Sequence, residues 1–247
     1  MAGLGPGPGV LVTRSQPGAD ATASRLAARG YCPVLSPVLR IAASGQPKPP
    51  LGGVQALIAT SAHGVAALAS LPGAAALPLY CLAGASLEQA RASDPDRPVH
   101  PVRGDAQALC ARIARHCKPQ DGALLWVRGQ HAAVDVQAVL ARKGFAVRVW
   151  QAYAAHRATA LSEAARQALR NGAIKAVLVH SARGAQALAA LAARHGLALD
   201  GLAMIAISAR AAAPLHAVKG ACVHVAASPD EDAIMATLGA VLPASGV

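Results

Sequence analysis

One stretch of this chain is written twice, and that duplication constrains the fold more than any other feature. The string ALIATSAHGVAAL starts at 56 and AVLVHSARGAQAL starts at 176. Each copy has a short apolar run, a small polar break, and then apolar residues at helical spacing. That pattern reads as a buried strand, a turn and a helix. Ser61 and Ser181 stand where the chain leaves the strand, so each is the expected N-cap of its helix. A helix N-terminus offers unpaired backbone N–H groups and partial positive charge, which suits a carboxylate or a phosphate. The residues flanking each serine, Thr60 and Ala62 in one copy and His180 and Ala182 in the other, share that position. Two such units predict two similar sites, one per lobe, facing something anionic.

A second repeat runs through the chain. Val12-Thr13-Arg14 resembles Trp126-Val127-Arg128, and LAARGY at 26–31 resembles LARKGF at 140–145. Strand-like runs alternate with helix-like ones throughout, which predicts parallel sheets and the α/β class. Helices are expected over 19–29, 105–116, 132–143, 161–171 and 211–218. Another is expected from about 87, after the turn Gly84-Ala85-Ser86. The acidic run 230–232 should open the last helix, and the tail from 243 should fray. Two arrangements satisfy the repeats: a tandem with a boundary near 121, or a middle lobe inserted into a discontinuous one. The extended stretches 34–42 and 147–155, each following an equivalent unit, suit two crossing strands in the inserted arrangement.

The 247 residues are 54% hydrophobic, enough for one large domain or two small ones. Much of that is Ala, which suits close helix–sheet packing but equally reflects nothing more than a GC-rich genome. The formal net charge of +11 draws anionic partners. Lys and Arg are scattered singly, and aromatics that could stack bases make up only 2%. A polyanionic small molecule therefore fits better than nucleic acid. Five cysteines with no CxxC spacing argue against a zinc site or a disulfide framework, and for reduced thiols in the cytoplasm. The Gly/Pro-rich residues 1–9 are not a signal peptide, and no apolar run reaches the length of a membrane helix.

The order of these motifs resembles one family. Val-Thr-Arg lies near the start, Thr60-Ser61-Ala62 follows a strand, and Gly84-Ala85-Ser86 makes a turn. Val127-Arg128-Gly129 and a strand ending in the lone Tyr153 come next. Then come the second strand–Ser–helix unit and the Ile207-Ser208-Ala209 turn. From about 10 to 238 this is similar to uroporphyrinogen-III synthase. The resemblance implies two flavodoxin-like parallel-sheet lobes joined by two extended strands, the second lobe inserted in the first. The lobes would comprise 1–37 with 156–247, and 42–152, with linkers about 38–41 and 153–155. It implies closure of hydroxymethylbilane, a linear tetrapyrrole with eight carboxylates, with inversion of the last ring and no metal or organic cofactor. Tyr153 matches the tyrosine proposed to assist loss of the substrate hydroxyl. Thr60, Ser61 and Ser181 match the helix N-termini that hold substrate carboxylates. Ser86 stands where the family has Thr, and His180 where Thr or Tyr is common. Arg210 and Ala211 replace a Thr-Thr pair.

The chemistry that this implies asks little of a nucleophile. A hydroxyl leaves as water, a cationic azafulvene forms, and a ring carbon attacks. The protein's task is mainly to hold the substrate so that the inverted closure wins. That fits the lack of any triad or carboxylate pair, although a non-enzyme would lack them too. Tyr153 could serve as general acid, or merely pack. Arg14 and Arg128 end strands at the edge where α/β sites lie, and could pair with carboxylates or sit solvated at the surface. His63 and His180 read as turn residues before they read as ligands. The expectation is a monomeric, cytoplasmic enzyme with no nucleic-acid or membrane partner and a possible transient contact with hydroxymethylbilane synthase. The rival is a non-catalytic bilobed sensor or carrier of an anionic metabolite.

Overall fold

The structure, a computed structural model, describes residues 7–131 and 134–244. In chain order the elements are β1 (Gly9–Val12), α1 (Gly18–Ala27), β2 (Cys32–Leu35), β3 (Leu39–Ala43), β4 (Val54–Ala59), α2 (Ala62–Leu68), β5 (Leu79–Leu82), α3 (Ala85–Ser93), β6 (Val99–Val102) and α4 (Ala106–His116). They continue with β7 (Ala123–Gly129), α5 (Val136–Ala141), β8 (Val147–Arg157), α6 (Glu163–Arg170), β9 (Ile174–Val179), α7 (Ala182–Arg194), β10 (Ala203–Ala206), α8 (Ala209–Ala212), β11 (Cys222–Val225) and α9 (Glu231–Val241).

These elements form two compact units. One comprises the chain up to Arg40 together with His156 onward, and the other comprises Ile41–Ala155. The chain passes between them within β3 and near the end of β8. The first unit holds a parallel sheet in the order β11-β10-β9-β1-β2. The second holds β6-β5-β4-β7-β8 as parallel neighbours, with β3 beyond β8. The two five-strand orders are the same once β1 is matched to β7, β2 to β8, β9 to β4, β10 to β5 and β11 to β6. The repeats written in the sequence are therefore repeats of structure. The α/β class with parallel sheets, expected from strand–helix alternation, is what the chain adopts.

Each sheet is buried on both faces, which is why its strands read as unbroken apolar runs. In the first unit Leu11, Val177, Val179 and Met204 fill one face, and Val10, Val12, Leu178 and Ile205 the other. In the second, Leu57, Leu125 and Val127 oppose Ile58, Leu124 and Trp126 across the sheet. Small residues on the helices let them approach closely. A methyl group on Gly64 of α2 would come within 3.0 Å of the Val127 carbonyl oxygen on β7.

Helix starts are set by capping side chains. Ser61, Asp135, Ser162, Ser181, Ser208 and Asp230 each accept a hydrogen bond from the backbone N–H three residues on. Asp105 caps α4 by accepting from both Gln107 and Ala108. Ser162 does more than cap α6. Its hydroxyl donates to the Leu35 carbonyl at 2.9 Å, and its N–H donates to Ser36 Oγ at 2.9 Å. It thus ties the helix to the end of β2. Ser162→Ala is expected to cost about 1–2 kcal/mol, for the cap and for the carbonyl left short of a donor. The urea midpoint should fall with the m-value unchanged. A midpoint at the wild-type value would mean that Ser162 contributes only locally.

Several boundaries differ from the sequence reading. Ala132 and Ala133 of the expected 132–143 helix lie outside the described residues, as do residues 1–6 and the tail beyond Ala244; α5 starts only at Val136, because Asp135 caps it. The helix expected from about 87 begins at Ala85, since Gly84 turns the chain with φ +79°. The single helix expected over 211–218 is the short α8 followed by a 3-10 turn over Ala213–Ala217. Ser208 fixes the start of α8, and Pro214 lies in the first turn of the 3-10 segment. The extended stretch ending in Tyr153 continues to Arg157.

Candidate functional site

The second unit brings Ser61 and Gly129, at the C-terminal ends of β4 and β7, together with Tyr153 of β8, which pairs with Gly129. Ser61 leaves β4 in extended conformation, and its Oγ accepts the Gly64 N–H at 3.1 Å. The same oxygen lies 2.7 Å from the Tyr153 hydroxyl. Tyr153 is aimed there by an irregularity in the β7–β8 ladder. Arg128 pairs with Gln151, but Gly129 pairs with Tyr153, so Ala152 is an extra residue on β8. Such a bulge re-aims the side chain that follows it. Gly129 is required beneath the ring, because a Cβ there would sit 2.5 Å from Tyr153 Cε2. His63 packs against the phenol with ring centroids 5.6 Å apart and planes at 57°. Thr60 and Ala62, half-buried on either side of Ser61, complete the strand-to-helix turn.

Arg128 is not part of this cluster. Its Nε donates to the Gly129 carbonyl at 2.9 Å, and one terminal nitrogen donates to the Gln130 carbonyl at 3.0 Å. The guanidinium lies 4.6 Å above the Trp126 ring, a cation–π contact. Trp126 belongs to the opposite face of the sheet from the one that Tyr153 packs on. Strand alternation thus sends residues 126 and 128 one way and the tyrosine the other. Ser86 is only 5% exposed and sits inside the first turn of α3, so its hydroxyl faces the interior.

The first unit carries the sister arrangement around a different centre. Ser181 caps α7 through the Gly184 N–H at 3.0 Å, and Ala182 opens the helix. Here the strand-end arginine is already paired. Arg14 donates to Glu231 at 2.8 Å and to Thr22 Oγ1 at 3.1 Å, and Thr22 donates to the other Glu231 oxygen at 2.6 Å. Gly18 makes room for the guanidinium, since a Cβ there would lie 2.5 Å from Arg14 Nε. His180 Nε2 lies 3.2 Å from Glu231 Oε2. A carboxylate only accepts, so Nε2 carries the hydrogen. Nδ1 is buried with no hydrogen-bond partner among the described residues. Burial pushes the Glu231 carboxyl up. The hydrogen bonds from His180 and Thr22 and the charges of His180 and Arg14 outweigh it and hold the group at about 2. Arg14 therefore does not present a free cation at the strand end, and Glu231 is the residue that sequence reasoning missed. It was seen only as part of an acidic helix start, and nothing local linked it to an arginine 217 residues away. Arg210, exposed on α8, stands apart from this network.

Among the described residues no three His, Cys, Asp or Glu side chains gather as metal ligands. The cysteines there are free thiols, and no helix is long and apolar enough to cross a membrane.

Comparison with known proteins adds the following. The family model described as uroporphyrinogen-III synthase HemD matches residues 20–236. Among solved structures, the uroporphyrinogen-III synthetase of Helicobacter pylori is similar with a TM-score of 0.63 at 13% identity, covering 95% of this chain and 99% of that one. A mutant uroporphyrinogen III synthase of Thermus thermophilus is similar with a TM-score of 0.50 at 18% identity, covering 95% and 97%. Such identities show a shared fold. No curated protein matches significantly.

Proposed function

Because the chain belongs to the uroporphyrinogen-III synthase family, lyases of tetrapyrrole biosynthesis, we propose that it closes hydroxymethylbilane to uroporphyrinogen III with inversion of ring D and loss of water, Tyr153 serving as the acid. The observation that carries the assignment to Tyr153 is its 2.7 Å contact with Ser61. Ser61 Oγ already accepts the Gly64 N–H and still has its own hydrogen to donate. Donation from Ser61 leaves the tyrosine proton free for the substrate hydroxyl. It also places a hydrogen bond on the phenolate that forms as water departs. The resulting azafulvenium cation is attacked by the substituted carbon of ring D. The proton released in the closing steps can return to Tyr153, so the enzyme ends unchanged.

Carboxylate holding falls in this reading to the backbone N–H groups of the turns Thr60-Ser61-Ala62 in one unit and His180-Ser181-Ala182 in the other, since the His180 ring is hydrogen-bonded to Glu231 and the Ser61 hydroxyl to Tyr153. Arg210 adds an exposed cation. Gly129 acts by making room for the phenol. Arg14 and Arg128 act as framework charges, because each is occupied within its own unit. No cofactor has a part in this scheme. We place the protein in the cytoplasm as a monomer, with any contact to hydroxymethylbilane synthase transient.

The test is to generate hydroxymethylbilane in situ, with and without the protein, and to separate the oxidised products by isomer. The expected result is a shift from type I to type III. An unchanged isomer ratio with folded protein would instead favour a carrier of anionic metabolites.

A further inference from the structure

At the far edge of the second unit's sheet, α4 and β6 enclose a groove of about 370 Å³ lined by Arg103, Arg112 and Arg115, with Pro101, Ala108 and Ala111 among its walls. Three strands lie between β6 and β8, so four inter-strand steps of about 4.8 Å put the groove roughly 19 Å from the strand that bears Tyr153. We propose that this groove is a second anion site, built for a small molecule bearing two or more carboxylate or phosphate groups.

The spacing on α4 supports this. Residues 108, 111, 112 and 115 fall on one helical stripe, so two alanines open space between two arginines. Arg103, at the end of β6, contributes the third guanidinium. No carboxylate lines the groove. Arg14, Arg25, Arg97 and Arg166 each have an acidic partner, whereas among the described residues none of these three makes an ion pair. The side-chain bond of Arg115 is to the Ala111 carbonyl at 3.3 Å. Asp105, the nearest acid in sequence, is committed to the amides of Gln107 and Ala108. Nearby, His100 is held below the ordinary imidazole value first by burial and then by the charges of Arg112 and His116. Three guanidiniums without an acidic partner line one concavity, and their planar forks suit oxyanions.

The occupant is small rather than an added strand or a nucleic acid. Among the described residues β6 pairs with β5 alone, in a register that turns residues 99 and 101 toward the open edge. Residue 101 is proline, so that edge lacks a donor and resists strand addition. No aromatic side chain lines the groove to stack a base.

Calorimetric titration of the full chain at low ionic strength, with pyrophosphate and separately with citrate, tests the idea. At least one should bind saturably, and the tighter of the two identifies the preferred oxyanion. Arg112→Gln with Arg115→Gln should weaken that binding at least about tenfold, and Arg103→Gln alone about threefold. The Arg29→Gln, Arg170→Gln pair, which removes the same charge from exposed sites in the other unit, should leave it unchanged. Circular dichroism checks that each variant is folded, and the single Arg103→Gln serves if the double variant is not. Three results would overturn the proposal: no saturable binding of either anion, equal weakening in the control pair, or an oligoglutamate peptide that outcompetes both small anions.

Discussion

Tyr153→Phe is expected to slow formation of the type III isomer by about a hundredfold, the lower end of what a positioned general acid supplies. The loss should appear in kcat with KM little changed, because the ring, its packing over Gly129 and its contact with His63 all survive. Ser61→Ala removes the partner of the tyrosine but leaves the tyrosine proton in place, so it should fall between wild type and Tyr153→Phe. It also removes the α2 cap, so its unfolding midpoint must be measured alongside. Steady-state rates from the in-situ assay read all three proteins. A Tyr153→Phe enzyme within threefold of wild type would remove the tyrosine from the proton path, leaving water or the substrate's own carboxylates as the acid. A rise in KM without loss of kcat would instead make the hydroxyl a binding contact.

What the sequence conveys about this fold follows from the range over which each signal acts. Ser61 and Ser181 are legible as caps because a cap needs only the amide three residues on. The apolar runs at 56–59 and 176–179 are legible as buried strands because parallel strands are covered on both faces. The matching sheet orders follow once the repeats are paired. Long-range partners leave no such mark. Nothing near Arg14 announces Glu231, so a strand-end arginine that the sequence leaves between a substrate carboxylate and solvent is instead paired within its unit. The guanidinium of Arg128 lies over Trp126 instead of reaching toward Tyr153. Strand alternation could have warned of this, since residues 126 and 128 must share a face. The bulge at Ala152 cancels any such count for Tyr153 itself. Ser86, expected from the resemblance to contact substrate, lies in the first turn of α3 and is buried. The arginine groove was invisible for a different reason: its three residues look scattered singly until α4 is wound and laid beside β6.

Glu231→Gln should be the most destabilising of the surface-accessible charge changes in the first unit. The carboxylate is 18% exposed and Arg14 is 27% exposed, so removing one partner leaves the other only half-solvated. Its carboxyl is held at about 2 against an ordinary 4.5. That depression sets a ceiling of about 3 kcal/mol, which partial exposure reduces to about 2 kcal/mol at neutral pH. The sign follows from linkage. A carboxyl whose folded-state value is depressed stabilises the protein fully above the unfolded value, and that stability drains as pH falls from 4.5 toward 2. Urea midpoints of wild type and Glu231→Gln should therefore differ most at pH 7. By about pH 3 the gap should shrink to less than half, because the unfolded carboxyl is then protonated while much of the folded one is not. Glutamine keeps the shape but has one oxygen where the carboxylate has two, so it can accept from Thr22 or from Arg14 and His180 but not from both sides; the pH dependence of the gap, rather than its size, therefore isolates the charge. A gap that stays constant with pH would mean that packing around the helix start, rather than the ion pair, holds α9 to β1. No gap at all would mean that Arg14 is solvated equally well without its partner, and would return it to the set of cations free to meet a substrate carboxylate.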